Sequence, residues 1–321
     1  MNNQQQSVRV AVVQAASVIM DREASTEKAV SLIRQAGESG AKIVVFPEAF
    51  IPAYPLELSF GTKVGARSPE GRKDWLRYWE NSVSVPSGTT EILGEAARKA
   101  GVYLVIGVIE RDNEYSGGTL YCTALFFGPD GALLGKHRKL KPTGAERFIF
   151  GEGDGSTLPV FDTPYGKIGA LLCWENYMPL ARAAMYAKGV QIYIAPTADD
   201  REVWQSTIRH IALEGRCFVL SCNQYVTKDM FPTDLACYDE LASSPDEICT
   251  GGSAIVGPMG EYVKKPVYGH EDILIADLDL REIAYSRFDF DVVGHFARPD
   301  VFQLLVNEEK KENVKWINRT Y

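Results

Sequence analysis

The chain has 321 residues, of which 45% are apolar and 24% charged, with a net charge of −8 and a pI near 5.2. This composition excludes a disordered chain, a collagen and a disulfide-stapled mini-protein. The acidic balance argues against nucleic acid or an anionic membrane as the main partner, because both demand a basic face. No apolar run reaches the roughly 18 residues a membrane helix needs. The polar start, Met1 to Ser7, carries no secretory pattern.

In chain order, residues 8–14 (VRVAVVQ) form a β-branched run that predicts a buried strand. Residues 24–36 place Ala29, Ile33 and Ala36 on one helical face, and 41–46 read as a second strand. Together they make a βαβ unit. The alternation continues with a helix over 89–100, capped by Thr89 or Ser87, and a strand over 102–108. Strands at 120–127 and 132–136 join across Pro129-Asp130-Gly131, a hairpin turn. Then come a strand at 167–173, a helix at 180–188, a strand at 190–195, a helix at 201–215 and a strand at 217–222. Short strands at 253–256 and 272–275 complete the inventory. Hairpins mixed with βαβ units predict an α/β protein with mixed sheets. No linker splits the chain, so residues 1–302 read as one domain and 303–321 as a charged tail, either solvated or docked on another subunit. The irregular stretches are 52–73, 141–164 and 227–249, and loops of that length are commonly functional.

The six cysteines lack paired spacing, and Cys122, Cys173, Cys217 and Cys222 sit in apolar runs. That pattern predicts reduced, buried thiols and a cytoplasmic protein. The four histidines are far apart and finger spacing is missing, so no metal site is expected.

Three places could carry chemistry. Cys173 ends an apolar strand and precedes Trp174-Glu175-Asn176, a position that projects a thiol into a cleft, although many such cysteines are plain core. Glu48 stands just past the strand that Pro47 stops, on the edge where α/β proteins build sites, although a solvated loop glutamate would look the same. His137-Arg138-Lys139-Leu140-Lys141 is a basic cluster in an acidic protein, either a solvated strand end or a cation held where negative charge develops. The glycines at 151, 153 and 155 lack the Lys-Ser or Lys-Thr of a phosphate loop.

The motifs Pro47-Glu48, His137-Arg138-Lys139 and Cys173-Trp174-Glu175-Asn176, in that order, resemble the nitrilase superfamily. Trp-Glu after the cysteine resembles its true nitrilase branch, as do 50–55 (FIPAYP), 196–204 (PTADDREVW) and 292–302 (VVGHFARPDVF). The resemblance spans about 8–302 and is thin over 61–84 and 227–247. It implies a four-layer αββα sandwich of two mixed sheets. It implies hydrolysis of a nitrile to an acid and ammonia through a cysteine thioimidate and thioester, without metal or organic cofactor. Glu48 would be the base, Lys139 the electrostatic stabiliser, which also raises the thiolate fraction, and Cys173 the nucleophile. Glu146 would support Lys139 or the attacking water, the Trp174 amide would serve as oxyanion donor, and Tyr54 would lie near the substrate. His295 is read as structural or interfacial. Similar proteins pair through helices like 180–188 and 201–215, which implies a homodimer or a larger spiral or filament.

Trp75, Tyr78 and Trp79, with Trp204 and Tyr225, are expected to contribute to a pocket for arylaliphatic or aliphatic nitriles. The alternatives are an amidase, a hydratase-like activity that stops at the amide, or a cyanide-hydrolysing member of the superfamily. A non-enzymatic scaffold and a metal-dependent hydrolase fit less well, given intact Glu48, Lys139 and Cys173 and the scattered histidines.

Overall fold

The computed structural model describes residues 6–315 and Ile317. Its first half contains β1 (Ser7–Gln14), α1 (Arg22–Glu38), β2 (Ile43–Val45), a hairpin of β3 (Thr62–Lys63) and β4 (Ala66–Arg67), α2 (Pro69–Glu80) and β5 (Val83–Ser84). Next come α3 (Gly88–Ala100), β6 (Tyr103–Arg111), β7 (Leu120–Phe127) and β8 (Leu133–Arg138). The second half runs β9 (Val160–Thr163), β10 (Gly166–Ala170), α4 (Pro179–Ala187), β11 (Ile192–Pro196), α5 (Glu202–Gly215) and β12 (Phe218–Cys222). It ends with β13 (Tyr225–Thr227), β14 (Glu247–Val256), β15 (Tyr262–Tyr268), β16 (Asp272–Asp279) and α6 (Arg281–Ser286).

Among the described residues the strands form two seven-stranded sheets besides the β3–β4 hairpin. The first has the order β16-β1-β2-β6-β7-β8, with β5 beside β6, and the second β13-β14-β12-β11-β10-β9, with β15 beside β14. β1, β2 and β6 are parallel, as are β10, β11 and β12, and antiparallel strands flank both sets. Both sheets are therefore mixed.

The layers follow from strand alternation. In β1, Val10 and Val12 enter a core shared with Ile168, Ile192, Ile194 and Leu220 of the other sheet. Ala11 and Val13 face the opposite way, onto Ala29 and Ile33 of α1 and Leu93 and Ala97 of α3. A third core joins Tyr193, Ala195 and Val219 to Tyr186 of α4 and to Trp204 and Ile208 of α5. Helices, sheet, sheet and helices thus stack as an αββα sandwich.

The elements start and stop where local chemistry requires. Asp21 accepts from the Ala24 amide at 2.9 Å to cap α1. Ser87 begins α3, and Gly101 ends it in the left-handed region, φ 65°. The sequence reading passed over α2, although Ser68 caps it and Pro69 fills its first turn. It also passed over β9, β13, β15 and α6, which are short or carry polar, exposed residues. β14 and β16 extend beyond the expected 253–256 and 272–275.

The described part of the tail makes contacts along the surface of its own chain. Glu308 pairs with Lys188, Lys310 pairs with Glu114, and the Lys311 amide donates to Asp154 at 2.7 Å. These residues remain solvent-exposed along the surface of the same chain. Positions 316 and 318–321 of the expected tail lie outside the described residues.

Candidate active site

Glu48 is delivered by β2. The chain leaves the sheet at Phe46, whose amide bonds Val105 at 2.8 Å, and Gly107 then donates to the Pro47 carbonyl at 3.2 Å. Gly107 has to be glycine, because a Cβ there would lie 2.3 Å from the Pro47 oxygen. Gln224 Nε2 holds the Glu48 carbonyl at 2.8 Å. The side chain is fully buried. Its Oε1 accepts from Lys139 Nζ at 2.7 Å and from the Cys122 thiol at 3.3 Å. Its Oε2 is buried with no hydrogen-bond partner among the described residues.

Lys139 follows β8. Strand alternation turns His137 and Lys139 inward and Arg138 outward, so the basic cluster is two separate groups. Arg138 pairs with Glu110 at 2.6 Å and lies over the Tyr121 ring at 3.9 Å. Lys139 is held by its amide on Cys122 O and by its carbonyl on the Gly153 amide, both at 2.8 Å. Gly153 approaches so closely that a Cβ would meet Arg138 O at 2.2 Å. The ammonium also donates to both oxygens of Glu146, at 3.0 and 2.9 Å. Glu146 accepts in turn from the Thr143 amide at 2.8 Å and from the Tyr54 hydroxyl. Burial pulls Lys139 down, but Glu48, the two nearby thiols and Glu146 outweigh it and hold the ammonium well above its ordinary value.

Cys173 lies in the second sheet's half. β10 stops at Ala170, earlier than the expected strand, and Cys173 opens a 3₁₀ turn through Tyr177. Its φ of 48° is left-handed, a strained conformation for a cysteine that costs about 1–3 kcal/mol. Asn176 pins the turn by donating to Leu171 O at 2.9 Å and Cys173 O at 2.8 Å, and it accepts from Tyr193 at 2.7 Å. The sulfur receives Thr197 Oγ1 at 3.2 Å and the Ala198 amide. Burial, then Glu48, pushes the Cys173 thiol up to about 12, although Lys139, Thr197 and Ala198 pull the other way. The expected gain in thiolate from Lys139 is therefore outweighed, and the resting group is a thiol. Burial likewise raises the Glu48 carboxyl from its ordinary value, against the pull of Lys139.

Cys173 opens onto a cavity of about 540 Å³. Tyr54, Glu146 and Trp174 line it beside apolar Leu56, Leu58, Ile149 and Ile248. The Trp174 amide stands in the first turn of the 3₁₀ segment, where amides lack an intrahelical acceptor. Its exposed indole donates to Asp199 at 2.8 Å and carries Arg201 over its face at 5.0 Å.

The expected aromatic lining is corrected. Tyr78 is fully buried and donates to Ala53 O at 2.8 Å, and Trp79 donates to Gly117 O at 2.7 Å. Trp75 packs on the inter-sheet core, Trp204 is core bonded to Ser221 at 2.9 Å, and Tyr225 donates to Glu247 at 2.9 Å. An α2 turned inward uses its aromatics as packing, and the aromatic lining of the pocket is instead Tyr54, Phe148 and Trp174, beside aliphatic Leu56, Leu58, Ile149 and Ile248. The sequence reading also missed Thr197, Asp199 and the buried His137–Glu175 pair, and gave Cys122 no part in the site. Only His137 left a readable signal, lying two strand residues before Lys139 and hence on its face.

Likeness to known proteins extends along the chain. A family model described as carbon-nitrogen hydrolase matches residues 9–288. An aliphatic nitrilase of Sinorhizobium fredii is 57% identical over 307 residues, covering 95% of this chain and 97% of its own. A bifunctional nitrilase/nitrile hydratase of Lupinus angustifolius is 53% identical over 306 residues, covering 94% and 86%. Among solved structures, the Nit3 protein of Saccharomyces cerevisiae, a member of branch 10 of the nitrilase superfamily, matches with a TM-score of 0.69 at 24% identity, covering 94% of this chain and 99% of its own. An amidase from Nesterenkonia sp. matches with a TM-score of 0.64 at 20% identity, covering 87% and 94%. The two structures share the fold; the sequence relatives and the family model go further, and the chain belongs to the carbon-nitrogen hydrolase family, in the nitrilase branch of the nitrilase superfamily.

Proposed function

We propose that the protein hydrolyses nitriles to the carboxylic acid and ammonia, with Cys173 as nucleophile, Glu48 as general base and Lys139 as the cation that stabilises developing charge. The observation that carries this reading is the asymmetry of Glu48. Oε1 is occupied by Lys139 and Cys122, while buried Oε2 has no partner and is free to accept a proton, and Glu48 is near enough to Cys173 for its charge to act on the thiol.

The thiol adds across C≡N: an S–C bond forms, the proton passes to Glu48 Oε2 and then to nitrogen, and a thioimidate results. Water, deprotonated by Glu48, adds to this carbon. The C–N bond then breaks and ammonia leaves with the proton, which leaves a thioester. A second water adds, the C–S bond breaks, and the acid departs. Two waters are consumed for each nitrile. Because the thiol rests near 12, sulfur gives up its proton during attack rather than beforehand. Lys139 stays charged throughout, with Glu146 and Tyr54 fixing its position, and the Trp174 amide faces the oxyanion.

Leu56, Leu58, Ile149 and Ile248 beside Tyr54, Phe148 and Trp174 favour aliphatic or arylaliphatic nitriles. The relative named a bifunctional nitrilase/nitrile hydratase favours some amide as a second product, formed when sulfur rather than ammonia leaves the first tetrahedral intermediate. Residues 1–302 are taken as one catalytic domain, a reading supported by the inter-sheet core. The six free, buried cysteines support a cytoplasmic location. Self-association through α4 and α5 is supported by exposed Leu180, Val203 and Leu213. The test is ammonia release, with products identified by mass, on aliphatic, arylaliphatic and aryl nitriles and their amides. Wild type should give acid from nitriles and Cys173→Ala none. Activity that survives in Cys173→Ala overturns the assignment, and activity on amides alone makes the protein an amidase.

A further inference from the structure

Two buried groups outside that chemistry join its two halves. Lys139 comes from the first sheet and Cys173 from the second; the core between the sheets is apolar, and other polar links there, such as Gln224 to the Glu48 carbonyl and Ser253 to Gln14, do not reach Lys139 or Cys173. Apolar contact is non-directional, so it does not by itself set how an ammonium sits relative to a sulfur.

Glu175 does. It is 1% exposed and lies two residues past Cys173. Its Oε2 accepts from the Leu172 amide at 2.6 Å, just before the nucleophile, and its Oε1 accepts from the Leu140 amide, just after Lys139. His137 Nε2 lies 2.9 Å from Oε2 and 3.1 Å from Oε1. His137 Nδ1 bonds the Thr157 carbonyl. The Thr157 carbonyl can only accept, so Nδ1 donates to it, and Nε2 shares a hydrogen bond with Glu175, which receives two amides besides. A buried network in which each of these groups is hydrogen-bonded is directional and stiff.

We infer that Glu175 and His137 are positioning residues, a clamp that fixes Lys139 against Cys173 across the two sheets. The inference rests on the roles proposed above for Lys139 and Cys173. Neither clamp residue lines the cavity onto which Cys173 opens. A misplacement of about 1 Å between reacting groups costs about 100-fold in rate, which sets the expected effect.

The experiment compares wild type with Glu175→Gln, His137→Ala and His137→Gln. A glutamine at 175 keeps one acceptor and turns an NH₂ toward a donor. A glutamine at 137 keeps the donor at the Nε2 position, whereas alanine removes it. Three quantities are read: the rate of Cys173 alkylation by iodoacetamide near neutral pH, kcat and KM on a nitrile, and the ratio of amide to acid. Molecules alkylated at Cys173 and at none of the other five thiols count as folded sites, and kcat is expressed per such site. Glu175→Gln and His137→Ala should alkylate about tenfold more slowly, lose about 100-fold in kcat with KM within threefold, and release more amide. His137→Gln should stay within about tenfold of wild type in kcat. Wild-type alkylation, kcat per site and product ratio in His137→Ala and in folded Glu175→Gln overturn the clamp. If Glu175→Gln does not fold, the two His137 variants decide. Should wild type leave every nitrile untouched, the function proposed above fails, while alkylation still decides the clamp.

Discussion

Lys139→Met is the sharpest perturbation. Methionine fills most of the lysine stem but removes the ammonium that bonds Glu48 at 2.7 Å and both oxygens of Glu146. All three groups are at most 6% exposed, so water screens little. Removing one partner of a buried ion pair costs about 3–5 kcal/mol, because the charge left behind is uncompensated. For a chain of this size that is a fall of roughly 5–10 °C in melting temperature. The loss of turnover should be separate and larger. One stabilising group aimed at developing charge contributes about 10²–10³ in kcat, and Glu48 also loses the cation that opposes its protonation. The discriminating variant is Lys139→Met with Glu146→Gln. It deletes one orphaned carboxylate and should recover about 1–3 kcal/mol of stability, yet no turnover. Thermal melts and ammonia release on the same samples make the comparison. A Lys139→Met enzyme turning over within threefold of wild type while folded, or a double variant whose activity returns with its stability, would refute the role: the lysine would then be a structural counter-ion.

Other outcomes follow from the same geometry. The Cys173 alkylation rate should climb steadily with pH past 10, as a thiol held near 12 requires, and a plateau at neutral pH would show a preformed thiolate. Tyr54→Phe removes the hydroxyl that bonds Glu146 and should lower kcat about tenfold, since one hydrogen bond to a charged group contributes about 1.5–3 kcal/mol, only part of it felt at Lys139; an unchanged kcat argues that Thr143 and Lys139 suffice to hold Glu146. Burial lowers the His137 pKa but Glu175 raises it more, so the net shift is upward. The stability His137 adds is fully present below the unfolded histidine value and is lost as pH rises through the folded one. The melting-temperature gap between wild type and His137→Gln should therefore narrow toward alkaline pH, and a gap that widens would show a neutral ring.

Much of this fold is legible in the sequence. Strands 8–14, 120–127 and 217–222 and the helices 24–36, 89–100 and 201–215 stood out because β-branched runs and helical spacing are local signals, and the structure keeps all six to within a few residues. α2 was lost because its buried face is Gly71, Asp74 and Tyr78, a pattern without the apolar stripe that marks a helix. Its Asp74 instead receives the Ala236 and Cys237 amides at 2.9 and 2.7 Å, a partnership 162 and 163 residues away that no local window can see.

The site divides along the same line. By itself the sequence determined which groups exist and roughly where each leaves its strand: Glu48 past Pro47, Lys139 at the end of a strand, Cys173 before a turn. Those are properties of a few neighbouring residues. Only the tertiary structure decided that Glu48 keeps Oε2 bare because Cys122 and Lys139 take Oε1, that burial leaves Cys173 a thiol, and that Glu175 bridges two sheets. Desolvation and hydrogen-bond occupancy depend on everything that surrounds an atom, and here those surroundings come from strands far apart in the chain and brought together only by folding.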